Sequence, residues 1–201
     1  MAACAPYPES LRRGEPVPAT SVLTIADGIA VKRPGRLTLA LLSQYADDIV
    51  VVGEDETAEA MVVLMERAKL VVEGAGAVGV AALIGGQVSP AEHGTTVALL
   101  SGGNVDPGLL ASVARRHETQ VGRRVVLITR VPDRPGNLAR LLVEVAETGA
   151  NIVDVSHVRE GLDLHVRETA IELVLETRGQ DHAQSVVAAL RDAGYETRVL
   201  T

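Results

Sequence analysis

The sequence has no Phe, no Trp, three Tyr, one Cys and, among 19 basic residues, only two lysines, Lys32 and Lys69. With aromatics almost absent, the core has to be assembled from Ala, Val, Leu and Ile, which dominate a hydrophobic content of 47% and suit layered α/β packing. The single cysteine, Cys4, closes no intramolecular disulfide, and its place near a terminus makes it an inert thiol. Two lysines leave any lysine-dependent chemistry two candidate positions. No apolar run is longer than Ala77 to Ile84, far short of a membrane span. Met1 to Pro8 carries neither the basic flank nor the hydrophobic stretch of a signal peptide, so a cytoplasmic protein is expected. The formal charge of −7 argues against a binder of phosphate backbones, and nucleic acid is not an expected partner. His157, His165 and His182 fall on a strand, a hairpin and a helix with no carboxylate or Cys at ligand spacing. Glu54, Asp55 and Glu56 sit where first-turn acids of a helix belong, so no metal site is expected.

What the sequence does have is a change of grammar. At 201 residues it has room for one or two domains, and the polar run RRHETQVGRR, 115 to 124, divides it near Gly122, giving expected domains 1–121 and 122–201. Downstream, Val125 to Val131 reads as a strand, 136 to 148 as a helix, and Asn151 to Val158 and Glu168 to Glu176 as strands. A helix over Gln180 to Ala193 and a strand over Glu196 to Leu200 complete it. The order βαββαβ is the ferredoxin-like unit, two helices on one face of a four-stranded sheet. Upstream, the pattern reads as α/β, with strands at Ile49 to Val52 and Thr95 to Leu100. A helix runs from Glu54 to about Lys69 with Met61, Leu64, Met65 and Ala68 on its inner stripe, and another from Pro107 to about Arg116.

The densest signal is VPDRPGNLARLLVEVAETGANI, 131 to 152. Pro135 fixes φ and Gly136 tolerates a positive φ, so Arg134 to Asn137 suits a type II turn leading into a helix. Leu138, Leu141, Leu142, Val145 and Ala146 make that helix amphipathic. Its free backbone N–H groups suit a carboxylate, and Asp133 suits an ammonium group, which together fit an amino acid. The same residues would serve equally to cap a ferredoxin-like helix. Asn151, both donor and acceptor after a glycine turn, suits a zwitterion or an Asx-type turn contact. In Ser101-Gly102-Gly103-Asn104, a glycine-rich turn comes after an apolar segment and before a helix, where open α/β sheets bind ligands or simply turn.

Four segments in order carry a family resemblance: SVLTIADGIAV (21–31), DDIVVVGEDE (47–56), ERAKLVVEGAGAVGVAAL (66–83) and LLSGGNVD (99–106). They resemble the carboxyl-terminal part of catabolic-type threonine dehydratase, the pyridoxal-phosphate-dependent threonine ammonia-lyase. DRPGNLARLL and GANI resemble the ACT regulatory domain that comes after it. The resemblance implies a partial fold-type-II, tryptophan synthase β-like α/β domain followed by a ferredoxin-like ACT domain. It implies that Ser101 is the serine whose hydroxyl bonds the pyridine nitrogen of pyridoxal phosphate. A neutral hydroxyl there moderates the electron sink in favour of β-elimination. It further implies that Gly28 lies against the cofactor ring and that Glu73 stands beside it, although Glu73 also reads as an ordinary helix-start acid. In the second domain it implies effector contacts from Asp133, Gly136, Asn137 and Leu138 of one chain with Asn151 and Ile152 of another, in a homo-oligomer joined through ACT domains.

One part of the family pattern is missing from the sequence. The Schiff-base lysine in its Ser-x-Lys-x-Arg-Gly-Ala-type context and the phosphate-cradling glycines do not occur, and neither Lys32 nor Lys69 has that setting. The expectation is therefore a carboxyl-terminal portion that does not convert threonine to 2-oxobutanoate and ammonia by itself. A separate amino-terminal catalytic piece is its expected partner, and a stand-alone amino-acid-binding ACT regulator is the alternative.

Overall fold

The computed structural model describes residues 4–159 and 164–200. The first three residues of the Met1 to Pro8 segment, and Thr201 at the end of the expected second domain, lie outside the described residues. The chain divides into two compact units, Met1–Ala114 and Arg115–Thr201. Among the described residues, no helix is long and apolar enough to cross a membrane.

The first unit contains helices α1 (Pro6–Arg13), α2 (Arg36–Tyr45), α3 (Glu54–Val63) and α4 (Gly74–Ile84), followed by the start of α5 (Pro107–Gln120). Its core is small-residue packing between α3 and α4: Ala60, Met61 and Val62 meet Ala75, Ala77, Ala81 and Ala82, with Ala26, Val52 and Val72 closing over them. Alanine and glycine on facing surfaces let the two helix backbones approach closely, which is how a core without aromatics reaches interior density. Glu54 ties a distant loop to this core, its Oε2 accepting from Ile25 N at 2.8 Å.

Three expectations for this unit are corrected. Neither Ile49 to Val52 nor Thr95 to Leu100 belongs to a ladder among the described residues; a strand exists only where another backbone supplies its hydrogen bonds. Nor is the second of them buried, since Val97 and Leu99 are 82% and 81% exposed. The helix from Glu54 does reach Ala68, but Leu64–Ala68 is a π-helical turn. One extra residue in that turn rotates the end of the helix, so Ala68 falls on the exposed side while Val62 joins the core. Lys69 ends it in the left-handed region at φ 60°.

The second unit is the expected ferredoxin-like fold. Strands β1 (Arg124–Pro132), β2 (Asn151–Val158), β3 (Glu168–Glu176) and β4 (Thr197–Leu200) form an antiparallel sheet in the order β2-β3-β1-β4. Helices α6 (Asn137–Glu147) and α7 (Gln180–Asp192) are the two crossovers. The alternation read from the sequence is the burial pattern: Val125, Leu127 and Val131 of β1 and Ile171, Leu173 and Leu175 of β3 face Leu141, Val145, Ala183, Val186, Val187 and Leu190 of the helices. Ala146, expected in the stripe of α6, lies past its edge and is exposed. Thr129 and Thr197 are buried in the same layer because each hydroxyl has the other as partner, 3.0 Å apart.

Leu173 is fully buried on the central strand, whereas Leu99 faces solvent. Leu173→Ala is expected to lower the opening free energy of β1 and β3 amides in native-state hydrogen exchange by about 2–5 kcal/mol. Leu99→Ala in the first unit should change stability by less than about 0.5 kcal/mol.

Candidate functional site

The three residues singled out in the first unit meet around the start of α4. Glu73 occupies the N-cap position of that helix, with extended φ −69° and ψ 161°, yet its side chain makes no capping bond. It reaches instead to the Ser101–Asn104 turn, where Glu73 Oε2 accepts from Asn104 N at 3.1 Å. Glu73 N donates to Gly102 O at 3.3 Å, so backbone and carboxylate clasp the same turn. Gly102 adopts φ +87°, and a Cβ there would run into the Glu73 carboxylate. On the other side, a Cβ on Gly28 would lie 3.2 Å from Glu73 Oε1. The carboxylate therefore stands between the Gly28 backbone and the turn that begins at Ser101.

Small residues make this convergence possible. A Cβ on Gly76 would collide with Ser101 O, and one on Gly74 with Ile25 O, so the first turn of α4 is wedged between the two loops. Asp27–Ile29 forms a short 3₁₀ turn that presents Gly28, with Ala30 N bonded to Asp27 O at 2.9 Å. Gly28 and Ser101 both line a cleft of about 800 Å³ whose walls include Val52, Ala75, Val78 and Leu99. Cys4 also lines it: the thiol expected to be an inert terminal group is 5% exposed, its Sγ 3.6 Å from Val31 O. Nothing in the residue spacing pointed to Asn104 N as the anchor of Glu73, although the GAG of EGAGA could have indicated how close the backbones come.

The donor set fits the ring end of pyridoxal phosphate. It combines a neutral hydroxyl, a glycine backbone without a side chain, and a carboxylate whose position is fixed by a main-chain amide. The lysines do not take part. Both are exposed and neither lines the cleft; Lys69 Nζ donates to Glu66 O at 2.8 Å.

In the second unit the Pro-Gly turn is as expected: Gly136 has φ 87° and ψ −17°, and Asn137 N bonds Arg134 O at 3.3 Å, closing a type II turn at the N-cap of α6. The side chains are less free than the sequence suggested. Asn137 Nδ2 donates to Pro132 O at 2.9 Å, and its Oδ1 accepts from Arg140. Asp133 faces Arg159 at 3.7 Å; both groups are largely solvated, so that contact is worth no more than about 1 kcal/mol. Asn151 Nδ2 donates to Glu176 Oε2 at 2.8 Å. Leu138 and Ile152 pack partly against the core.

Register decides which of these residues can meet. Asn151 pairs with Glu176, which pairs with Arg124 at the start of β1, whereas Asp133 comes just after the end of β1. Nine residues of strand separate the two positions, roughly 31 Å at about 3.4 Å per residue. Within one chain, Asn151 and Ile152 do not join Asp133, Gly136, Asn137 and Leu138.

Residues 1–102 match the family described as pyridoxal-phosphate dependent enzyme. The chain is 44% identical over 191 residues to the L-threonine ammonia-lyase of Geobacter sulfurreducens, covering 95% of this chain and 47% of that protein. It is 43% identical over 192 residues to the L-threonine ammonia-lyase of Thermotoga maritima, with the same coverages. Among solved structures, a threonine deaminase from T.th. aligns at 34% identity and TM-score 0.46, over 52% of this chain and 35% of that one. The chain thus spans about half the length of the curated relatives it matches. On the strength of the sequence match over its first half, the chain belongs to the family of pyridoxal-phosphate-dependent enzymes.

Proposed function

We propose that this chain forms the carboxyl-terminal part of an L-threonine ammonia-lyase, with residues 1–121 in the catalytic domain and 122–201 as an amino-acid-sensing ACT domain. The observation that carries this reading is that Gly28 and Ser101 line one cleft, while Glu73 accepts from Asn104 N in the turn that Ser101 begins. Pyridoxal phosphate, when bound, supplies the electron sink for loss of the substrate hydroxyl and ammonia. Ser101 would offer its hydroxyl to the ring nitrogen without a full charge, and Gly28 would place bare main chain at the cleft, its missing side chain making way for Ala75 and Glu73. Glu73, held by Asn104 N, keeps both loops in place. A covalent link needs a lysine from an amino-terminal portion of the enzyme, because neither Lys32 nor Lys69 lines the cleft.

The second unit supports a sensing role through its edges. β2 is an edge strand, and antiparallel pairing with the β2 of another copy would bring Asn151 of one chain beside the Pro-Gly turn of the other. There the free N–H groups of α6 suit a carboxylate and Asp133 an ammonium group. The effector is a small amino acid, and the active form is a homo-oligomer.

Three outcomes test the reading. In equilibrium dialysis the purified chain should retain pyridoxal phosphate without the visible absorbance band of a lysine-bound cofactor, and Ser101→Ala should weaken retention about tenfold. A lysine-type band in the isolated chain would overturn the assignment of both lysines. Gly102→Ala should cost about 1–3 kcal/mol in urea unfolding of the first unit and release Glu73 from Asn104, because φ +87° and the carboxylate both oppose a methyl group. Calorimetry with valine and isoleucine, alongside light scattering, should show binding by a dimer or larger species, weakened about tenfold or more by Asp133→Ala or Asn151→Ala. A monomer silent to every amino acid would remove the sensing role.

A further inference from the structure

The second unit has a cavity far from its Pro-Gly turn. It measures about 440 Å³ and lies between α7, the start of β1, the end of β4 and the last turn of α5. Gln180, Ala183, Gln184, Val187, Ala188 and Arg191 recur at helical spacing and form its α7 wall. Val125, Val199 and Leu200 supply an apolar floor, and Arg124 stands on the opposite rim.

The chemistry of that lining is one-sided. Although the protein carries a net charge of −7, none of the described residues around the cavity is acidic, while two are arginines. Their bonds go to neutral oxygens: Arg124 Nη1 to Thr119 Oγ1 at 3.3 Å, and Arg191 Nη2 and Nε to Thr197 O at 3.2 and 3.4 Å. Of the remaining polar groups, the Gln180 and Gln184 amides can donate, whereas Thr119 Oγ1 already donates to Arg115 O at 3.0 Å. A guanidinium whose partners are neutral keeps donors for a planar anion.

The mouth is also built to hold its shape. Thr177 Oγ1 donates to Gly122 O at 2.5 Å and Gln180 Nε2 to Gln120 O at 2.6 Å. A Cβ on Gly122 would lie 2.6 Å from Gln180 N, so the two segments touch backbone to backbone. The volume is at the low end of small-molecule sites, enough for a ligand of a few carbons.

We infer that this cavity binds a short-chain 2-oxo acid. Arg124 and Arg191 take the carboxylate, the neutral donors take the 2-oxo oxygen, and Val125, Val187, Val199 and Leu200 receive the alkyl tail. An amino acid fits poorly, because its ammonium group would meet two guanidinium groups and no carboxylate. The site is thus chemically opposite to the turn at Asp133, and it stands whether or not the first unit contributes to a lyase.

The test uses three acids with one carbon skeleton: 2-oxobutanoate, butanoate and 2-aminobutanoate. Each is titrated into the full chain and followed by amide NMR. The expected order is 2-oxobutanoate, then butanoate, with 2-aminobutanoate at least about tenfold weaker. Shifts should concentrate at 124–126, 180–191 and 197–200. Arg124→Gln should weaken 2-oxobutanoate about tenfold, and Ala188→Leu should block it by filling the mouth without changing charge. The inference is overturned if 2-oxobutanoate shifts none of these amides, if 2-aminobutanoate binds there equally well, or if both variants bind as the unmodified chain does.

Discussion

The first unit depends on how closely backbone can approach backbone at the head of α4. Gly74 sits against Ile25 O and Gly76 against Ser101 O, so two loops far apart in sequence are located by main-chain contact rather than by interlocking side chains. A chain without Phe or Trp has few other means of fixing a loop at that precision. Glu73 adds the electrostatic half of the constraint. By turning away from its own helix to accept from Asn104 N, it makes the Ser101–Asn104 turn part of the helix start. The cleft is in this sense a by-product of small-residue packing: the residues that would have filled it are the ones that the close approach forbids.

The second unit was legible almost to the residue, because each of its elements advertises itself locally. Ile171, Leu173 and Leu175 alternate, Ala183, Val186, Val187 and Leu190 recur at helical spacing, and Pro135-Gly136 admits one turn type. In the first unit the helices from Glu54 and from Pro107 were legible, but α1, α2 and the absence of a ladder at the two expected strands were not. Ile49 to Val52 and Thr95 to Leu100 have strand composition, and composition says nothing about whether a neighbouring backbone is there to pair. The π turn at Leu64–Ala68 left no mark in the hydrophobic period that precedes it. Side-chain partners such as Glu176 for Asn151 and Arg159 for Asp133 come from adjacent strands and loops, and residue spacing alone could not supply them.

The sheet of the second unit gives its two ends different characters. At one end the Pro-Gly turn opens α6, and Asp133 just before it faces Arg159. At the other, Arg124 and Arg191 border an apolar recess without an acid among its described lining residues. Asn151 shares the arginine end of the sheet, in register with Glu176 and, through it, with Arg124. The length of β1 thereby keeps an acid-bearing turn apart from an arginine-lined recess.

The exposed segment Thr95 to Leu100 has a bearing on how the protein behaves as a material. TTVALL is six residues without charge or proline, rich in β-branched and leucine side chains, with Val97 and Leu99 open to solvent and its backbone groups outside any ladder. Segments of that kind stack in register on copies of themselves. Left uncovered, such a segment favours association between copies even while both units stay folded. A cover over this segment would oppose that association as well as hold the segment in place.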